Sequence, residues 1–148
     1  MRGTMKRKRI DIYTDGSCNV SQRIGGWAIV SDEWTASGNK FDTTNNEMEL
    51  YAILKAIHYS QYYGYDEVHI YTDSDYAYKI LTKWAYNWES NGWRKKGGAI
   101  RNIELIQSIF RIVKDNDVYV FHKVKAHSGV VMNERADRLA KVSYQELI

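Results

Sequence analysis

The sequence predicts an α/β fold, a five-stranded mixed sheet flanked by helices, and three observations carry that expectation. Short β-prone runs and helical stretches follow one another in the order β-β-β-α-β-α-α-β-α. The helical stretches repeat apolar residues at three- and four-residue spacing. The tripeptide Tyr-Thr-Asp occurs twice, as Tyr13-Thr14-Asp15 and Tyr71-Thr72-Asp73, each time closing an apolar run. Two aspartates at the ends of buried strands suggest neighbouring strands that deliver carboxylates to one place.

Lys8 to Thr14 reads as the first strand, ending at Asp15, with Gly25 to Val30 and Trp34 to Phe41 as a following antiparallel pair. A helix starts near Thr44, where Thr44-Asn45-Asn46-Glu47 fits a capping box: Thr44 caps the first amides and Glu47 reaches back. Leu50, Ile53, Leu54 and Ile57 give that helix its apolar face, and it ends near Gly64. Glu67 to Tyr71 forms the next strand. Ala77, Ile80, Leu81 and Trp84 mark a second helix, which Asn91-Gly92 and Gly97-Gly98 separate from a third carrying Ile103, Ile106, Phe110 and Val113. Val118 to Val124 reads as the last strand, and Met132, Ala136, Leu139 and Ala140 as a closing amphipathic helix that Leu147 extends.

The chain of 148 residues reads as one domain, 1–148, with a basic N-terminal arm at 1–8. No apolar run approaches the roughly 18 residues of a membrane span, and the N-terminus lacks the apolar stretch of a signal peptide. A soluble, cytoplasmic, monomeric protein is expected. Cys18 is the one cysteine, which excludes an internal disulfide and a CxxC zinc site. Lys6-Arg7-Lys8-Arg9 reads as a solvated arm leading into the first strand rather than as a nucleic-acid patch. The net charge of +3 permits a polyanionic partner. More pointed is one short segment that holds Trp84, Trp88 and Trp93 with Lys83, Arg94, Lys95 and Lys96.

Two further acids join Asp15 and Asp73. Glu49 precedes Leu50 at the edge of the first helix's apolar face, and Asp137 follows Ala136 in the last helix, four residues after Asn133. Taken singly, each has an ordinary reading as a turn residue, a solvated helix residue or a partner for a nearby base. Together they lack a cation placed to neutralise them all. Hard cations prefer oxygen ligands, so Mg²⁺ or Mn²⁺ fits this set.

From about Arg9 to Val142 the chain resembles ribonuclease H of type 1. The resemblance rests on Tyr13-Thr14-Asp15-Gly16-Ser17-Cys18, on Thr43 to Leu50, on Thr72-Asp73-Ser74, and on Val124 to Gly129 continued by Asn133 to Ala140. It implies a ribonuclease H-like fold and hydrolysis of the RNA strand of an RNA–DNA hybrid, leaving 5′-phosphate and 3′-hydroxyl ends. It makes Asp15, Glu49, Asp73 and Asp137 the ligands of two Mg²⁺ ions, with Asp15 as the bridge, and Mn²⁺ as a substitute. It makes His127 a proton shuttle; loop histidines are otherwise often incidental. It places Cys18, Asn45 and Asn46 along the minor groove, Thr44 and Asn102 on a phosphate of the DNA strand, and Asn133 as a positioning amide. Lys95 and Lys96 belong to a basic protrusion that meets phosphates. Trp84 either packs with Trp88 and Trp93 or meets a deoxyribose.

Three departures bear on substrate affinity in this resemblance. The loop after Cys18, Asn19 to Gly26, has no proline; Asp75 stands where glutamine is common; and Ile106 replaces an aromatic residue of the DNA channel wall. The alternatives are a non-catalytic hybrid-binding module on the same fold, or a nuclease of related fold with another substrate. Retention of all four acids speaks against the first.

Overall fold

The computed structural model describes residues 7–148, so most of the expected basic arm lies outside the described residues. Strands β1 (Arg9–Asn19), β2 (Ile24–Val30) and β3 (Thr35–Phe41) form an antiparallel meander. Helix α1 (Asn45–Tyr63) then crosses to β4 (Glu67–Thr72), which lies parallel to β1. The chain continues through α2 (Asp75–Lys79), a π-helical turn (Ile80–Trp84), α3 (Ala85–Ser90) and α4 (Ile103–Val113). Strand β5 (Tyr119–Lys123), parallel to β4, and α5 (Val131–Gln145) complete it. The sheet order β3-β2-β1-β4-β5 is the five-stranded mixed sheet expected from sequence. No helix among the described residues is long and apolar enough to cross a membrane.

The two faces of the sheet follow from strand alternation. On β1, Ile10, Ile12 and Thr14 point to one face, where the two isoleucines join Leu50, Ile53 and Ile57 of α1 and Ile106 and Phe110 of α4 in one buried cluster. Tyr13, Asp15 and Ser17 point to the other face. Helix α5 packs there, and the Ser17 and Tyr144 hydroxyls hydrogen-bond at 2.8 Å. Gly26 lets α5 sit directly on β2, since a Cβ there would collide with Ser143 and the Ala140 carbonyl.

Four sequence expectations are corrected. The first strand does not end at Asp15. It runs on to Asn19, because Gly25 and Trp27 of β2 continue the antiparallel register opposite Cys18 and Gly16. The reversal instead comes at Val20 to Arg23, where the Asn19 carboxamide accepts from Gln22 N at 3.0 Å and Arg23 has a positive φ of 56°. The capping box is half formed. Thr44 Oγ1 accepts from Glu47 N at 3.1 Å, but the Glu47 carboxylate turns to the Thr43 hydroxyl and to Lys40 of β3. The second helix is not uniformly α-helical: the Ala85 N–H bonds to Ile80 O, five residues back, in the π turn. Finally, Ile106 is 0% exposed and packs in the core, so it is not a channel wall.

Gly16 decides how closely α1 approaches β1. A Cβ there would run into the Met48 carbonyl group and the Glu49 amide, all backbone atoms near the N-terminus of α1. The Gly16→Ala variant is therefore expected to lose about 1–3 kcal/mol of stability, the usual range for overpacking. Urea unfolding measures this, and an unchanged midpoint would contradict so close a seat for α1.

Candidate active site

The parallel pairing of β1 with β4 aligns Tyr13 with Tyr71 and Thr14 with Thr72. The repeated tripeptides are thus in register on adjacent strands. The tyrosine rings stack at 4.3 Å between centroids and 9° between planes. One residue on, Asp15 and Asp73 emerge side by side, Asp15 within β1 and Asp73 just past the end of β4. Adjacent strands lie about 4.8 Å apart, so the carboxylates need no special reach to converge.

Glu49 arrives from the N-terminal part of α1, brought near by the missing side chain at Gly16. Gly16 also holds it: its backbone N–H donates to Glu49 Oε1 at 2.9 Å. Carboxylate oxygens of Asp15, Glu49 and Asp73 lie within 4.8 Å of one another. Asp15 is only 3% exposed. Burial, followed by the charges of Glu49 and Asp73, pushes the Asp15 carboxyl far above the usual carboxylate range, with Asp137 adding to the effect. Burial, followed by the charge of Asp73, pushes Glu49 upward too, against the stabilising Gly16 bond. None of these three acids forms an ion pair among the described residues.

Asp137 lies at the rim of this cluster, beside Asp15, and not within the three-acid group. It projects from α5 and pairs with Lys141, one turn on, at 3.2 Å. Asn133, on the same helix face, is buried, and its Nδ2 donates to Asp73 Oδ2 at 3.3 Å. Its Oδ1 is a buried acceptor with no donor among the described residues. His127 is exposed in the loop between β5 and α5, with a positive φ of 54°. It shares a cleft of about 440 Å³ with Asp137, Arg138 and Lys141 rather than joining the three-acid cluster.

The remaining candidates spread outward. Cys18 is half-buried, with its thiol 3.4 Å from the Thr43 carbonyl. Asn45 and Asn46 are exposed at the start of α1, while the Thr44 hydroxyl is engaged as its cap. Asn102 caps α4 from a left-handed conformation, and its Nδ2 donates to Tyr76 Oη at 3.0 Å. Trp84 is 37% exposed and 6.3 Å from the Trp88 ring, whereas Trp93 lies edge-on to Phe110 at 6.0 Å. Lys95 and Lys96 are exposed beyond them. Asp75 is not a bare acid, because Lys79 pairs with it at 2.8 Å. Sequence reasoning missed two participants. The Gly16 amide was foreshadowed by a glycine directly after Asp15, and Lys141 by its i+4 spacing from Asp137.

The donor set fits a divalent cation: hard oxygens, mutually repelling, held without a protein cation among them. Its cost has a pH signature. Because the folded protein keeps protons on Asp15 and Glu49 that the unfolded chain releases near pH 4, these groups lower stability progressively as pH rises. Asp15→Asn should therefore raise the thermal midpoint of metal-free protein by about 3 °C at pH 8, roughly 1 kcal/mol, and less at pH 5. Mg²⁺ should raise the wild-type midpoint at pH 8 and leave the variant's nearly unmoved. Thermal unfolding in EDTA and in MgCl₂ at both pH values checks this.

The chain is similar to known proteins along nearly its whole length. The family model described as RNase H matches residues 7–145. A Ribonuclease H of Hahella chejuensis is 38% identical over 146 residues, covering 95% of this chain and 97% of that one. A Ribonuclease H of Neorickettsia sennetsu is 41% identical over 136 residues, covering 88% and 89%. Among solved structures, LC9-RNase H1, described as a type 1 RNase H with the type 2 active-site motif, superposes with a TM-score of 0.81. It is 26% identical, over 97% of this chain and 75% of that one. A five-stranded mixed sheet in the order β3-β2-β1-β4-β5, a family model matched over residues 7–145 and relatives matched along nearly the whole chain lead to one assignment: the chain belongs to the ribonuclease H family.

Proposed function

We propose that this chain is a metal-dependent endonuclease that hydrolyses the RNA strand of RNA–DNA hybrids, leaving 5′-phosphate and 3′-hydroxyl ends. The observation that carries the reading is the convergence of Asp15, Glu49 and Asp73 within 4.8 Å without a neutralising side chain. Asp137 would be the fourth ligand and would give up its pairing with Lys141 to serve as one. Two Mg²⁺ ions, or Mn²⁺, bound there with substrate supply activation of a water and stabilisation of the leaving 3′ oxygen. The protein's own share is placement. In-register strands fix Asp15 against Asp73, Gly16 N–H aims Glu49, and Asn133 Nδ2 orients Asp73.

His127 sits where a mobile imidazole can take or return a proton beside Asp137. Asn45 and Asn46, exposed at the start of α1 four and three residues before Glu49, and Cys18 of β1 would read the minor groove, where the ribose 2′-hydroxyl separates RNA from DNA. Thr44 and Asn102 would approach a DNA-strand phosphate. Trp84 keeps an exposed face for a deoxyribose, and Lys95 and Lys96 would meet phosphates nearby.

The reading is tested with one RNA sequence presented as a single strand, an RNA duplex and a DNA hybrid, with and without Mg²⁺. Cleavage is expected only of the hybrid and only with metal. An intact hybrid, or preferred cutting of single-stranded RNA, would refute it. Asp73→Asn should lower hybrid turnover by about a thousandfold, about 4 kcal/mol in the barrier, while hybrid binding persists. Replacing Lys95 and Lys96 with Gln should weaken binding and reduce the slope of log K against log salt by about 0.7–0.9 for each phosphate left without its lysine. An unaltered slope would place the phosphates elsewhere.

A further inference from the structure

The side of the sheet that α5 covers over β1 to β3 continues, over β1, β4 and β5, as a partly open polar face away from the carboxylates. Four rings stand in a row across it. Tyr13 stacks on Tyr71, Tyr71 on His122 at 4.5 Å, and His122 on His69 at 5.0 Å. His69 comes from β4 and His122 from β5, the edge strand. His69 Nδ1 lies 2.7 Å from His122 Nε2, and His69 Nε2 lies 2.8 Å from Glu67 Oε2. An ionised carboxylate only accepts, so the His69 proton sits on Nε2 and the Nδ1 lone pair faces His122. Arg9 pairs with both Asp11 and Glu67, and Asp11 also accepts from Tyr71 Oη at 2.7 Å. The groups facing the histidines are thus one guanidinium against two carboxylates.

We propose that His69 and His122 form a binding site for a borderline transition-metal ion, Zn²⁺, Ni²⁺ or Cu²⁺, that clamps β4 to β5. Imidazole nitrogen suits these ions, whereas the carboxylate cluster suits hard ones. Glu67 already plays the part that carboxylates play behind metal-bound histidines: it fixes the tautomer and raises the basicity of the other nitrogen. The geometry is close. Two nitrogens at about 2.0–2.1 Å from one tetrahedral ion lie about 3.3–3.4 Å apart, so the pair must open by roughly 0.6 Å. His122 on the edge strand can make that movement, with water completing the coordination. In the neutral pair His122 Nε2 donates to His69 Nδ1. On binding, the His122 proton moves through solvent to its own Nδ1, and both facing lone pairs go to the ion with no net proton release. The surplus negative charge from Glu67 and Asp11 favours a dication there.

The test uses protein free of any polyhistidine tag, titrated with NiCl₂ in excess MgCl₂ near pH 7.5 by calorimetry and thermal unfolding. One equivalent of Ni²⁺ should bind and raise the unfolding midpoint. His122→Gln and His69→Gln should each weaken binding by more than tenfold, and Glu67→Gln by about tenfold, the usual cost of losing such a supporting carboxylate. Asp15→Asn should bind Ni²⁺ as the wild type does, which separates this site from the carboxylates. Absence of Ni²⁺ binding, wild-type affinity in either histidine variant, or loss of binding in Asp15→Asn would each overturn the proposal.

Discussion

Everything in the candidate active site depends on one strand pairing, the in-register parallel ladder between β1 and β4. A parallel ladder fixes both spacing and phase, because side chains alternate strictly between faces. With Tyr13 opposite Tyr71 and Thr14 opposite Thr72, Asp15 and Asp73 have no choice but to emerge together. A slip of one residue would turn Asp73 into the core and Thr72 toward the site. The stacked tyrosines on one face, and Ile12 against Ile70 on the other, resist that slip. Packing thus supplies the force that holds two like charges at close quarters.

The other contributions adapt to that ladder. Helix α1 reaches it because Gly16 presents bare backbone, and the same residue supplies the amide that steadies Glu49. Helix α5 reaches the opposite face through Gly26 and places Asn133 and Asp137 there. Two glycines on paired strands, Gly16 of β1 and Gly26 of β2, therefore let helices approach the sheet closely from opposite faces. Asp137 differs in kind from the other acids, since it is held by Lys141 at the rim rather than buried. The site combines a rigid inner group of three acids with a fourth whose orientation is set by a surface ion pair, an interaction generally worth less than about 1 kcal/mol.

Much of this was legible in the sequence because strand and helix periodicities are local. Five strands and the first helix with its Thr44 cap follow from local spacing, while the set of four acids was completed by the resemblance that the motifs carry. What stayed hidden depended on partners distant in sequence. The continuation of β1 past Asp15 needs β2 lying alongside. The Glu47 carboxylate leaves its helix because Lys40 and Thr43 compete for it. Ile106 was legible as part of the apolar periodicity of α4, and only the resemblance assigned its position to a channel wall, which its burial in the core does not support. The pair formed by His69 and His122 crosses two strands that are separated by most of three helices, and no local pattern announces it.

The π turn at Ile80–Trp84 has a bearing on how the tryptophan-rich segment is aimed. A π turn is geometrically a single surplus residue accommodated in an α-helix. Each residue advances an α-helix by about 100° around its axis, so this one surplus residue sets the azimuth of everything that follows. The buried positions record the shift: Ile80 and Ala85 both face the core, five residues apart. The bearing of Trp84, Trp88 and the lysines beyond is consequently written in chain length more than in side-chain chemistry. Relatives that differ by one residue in this stretch would point the same basic and aromatic groups along a different radius of the helix, with every one of those groups retained.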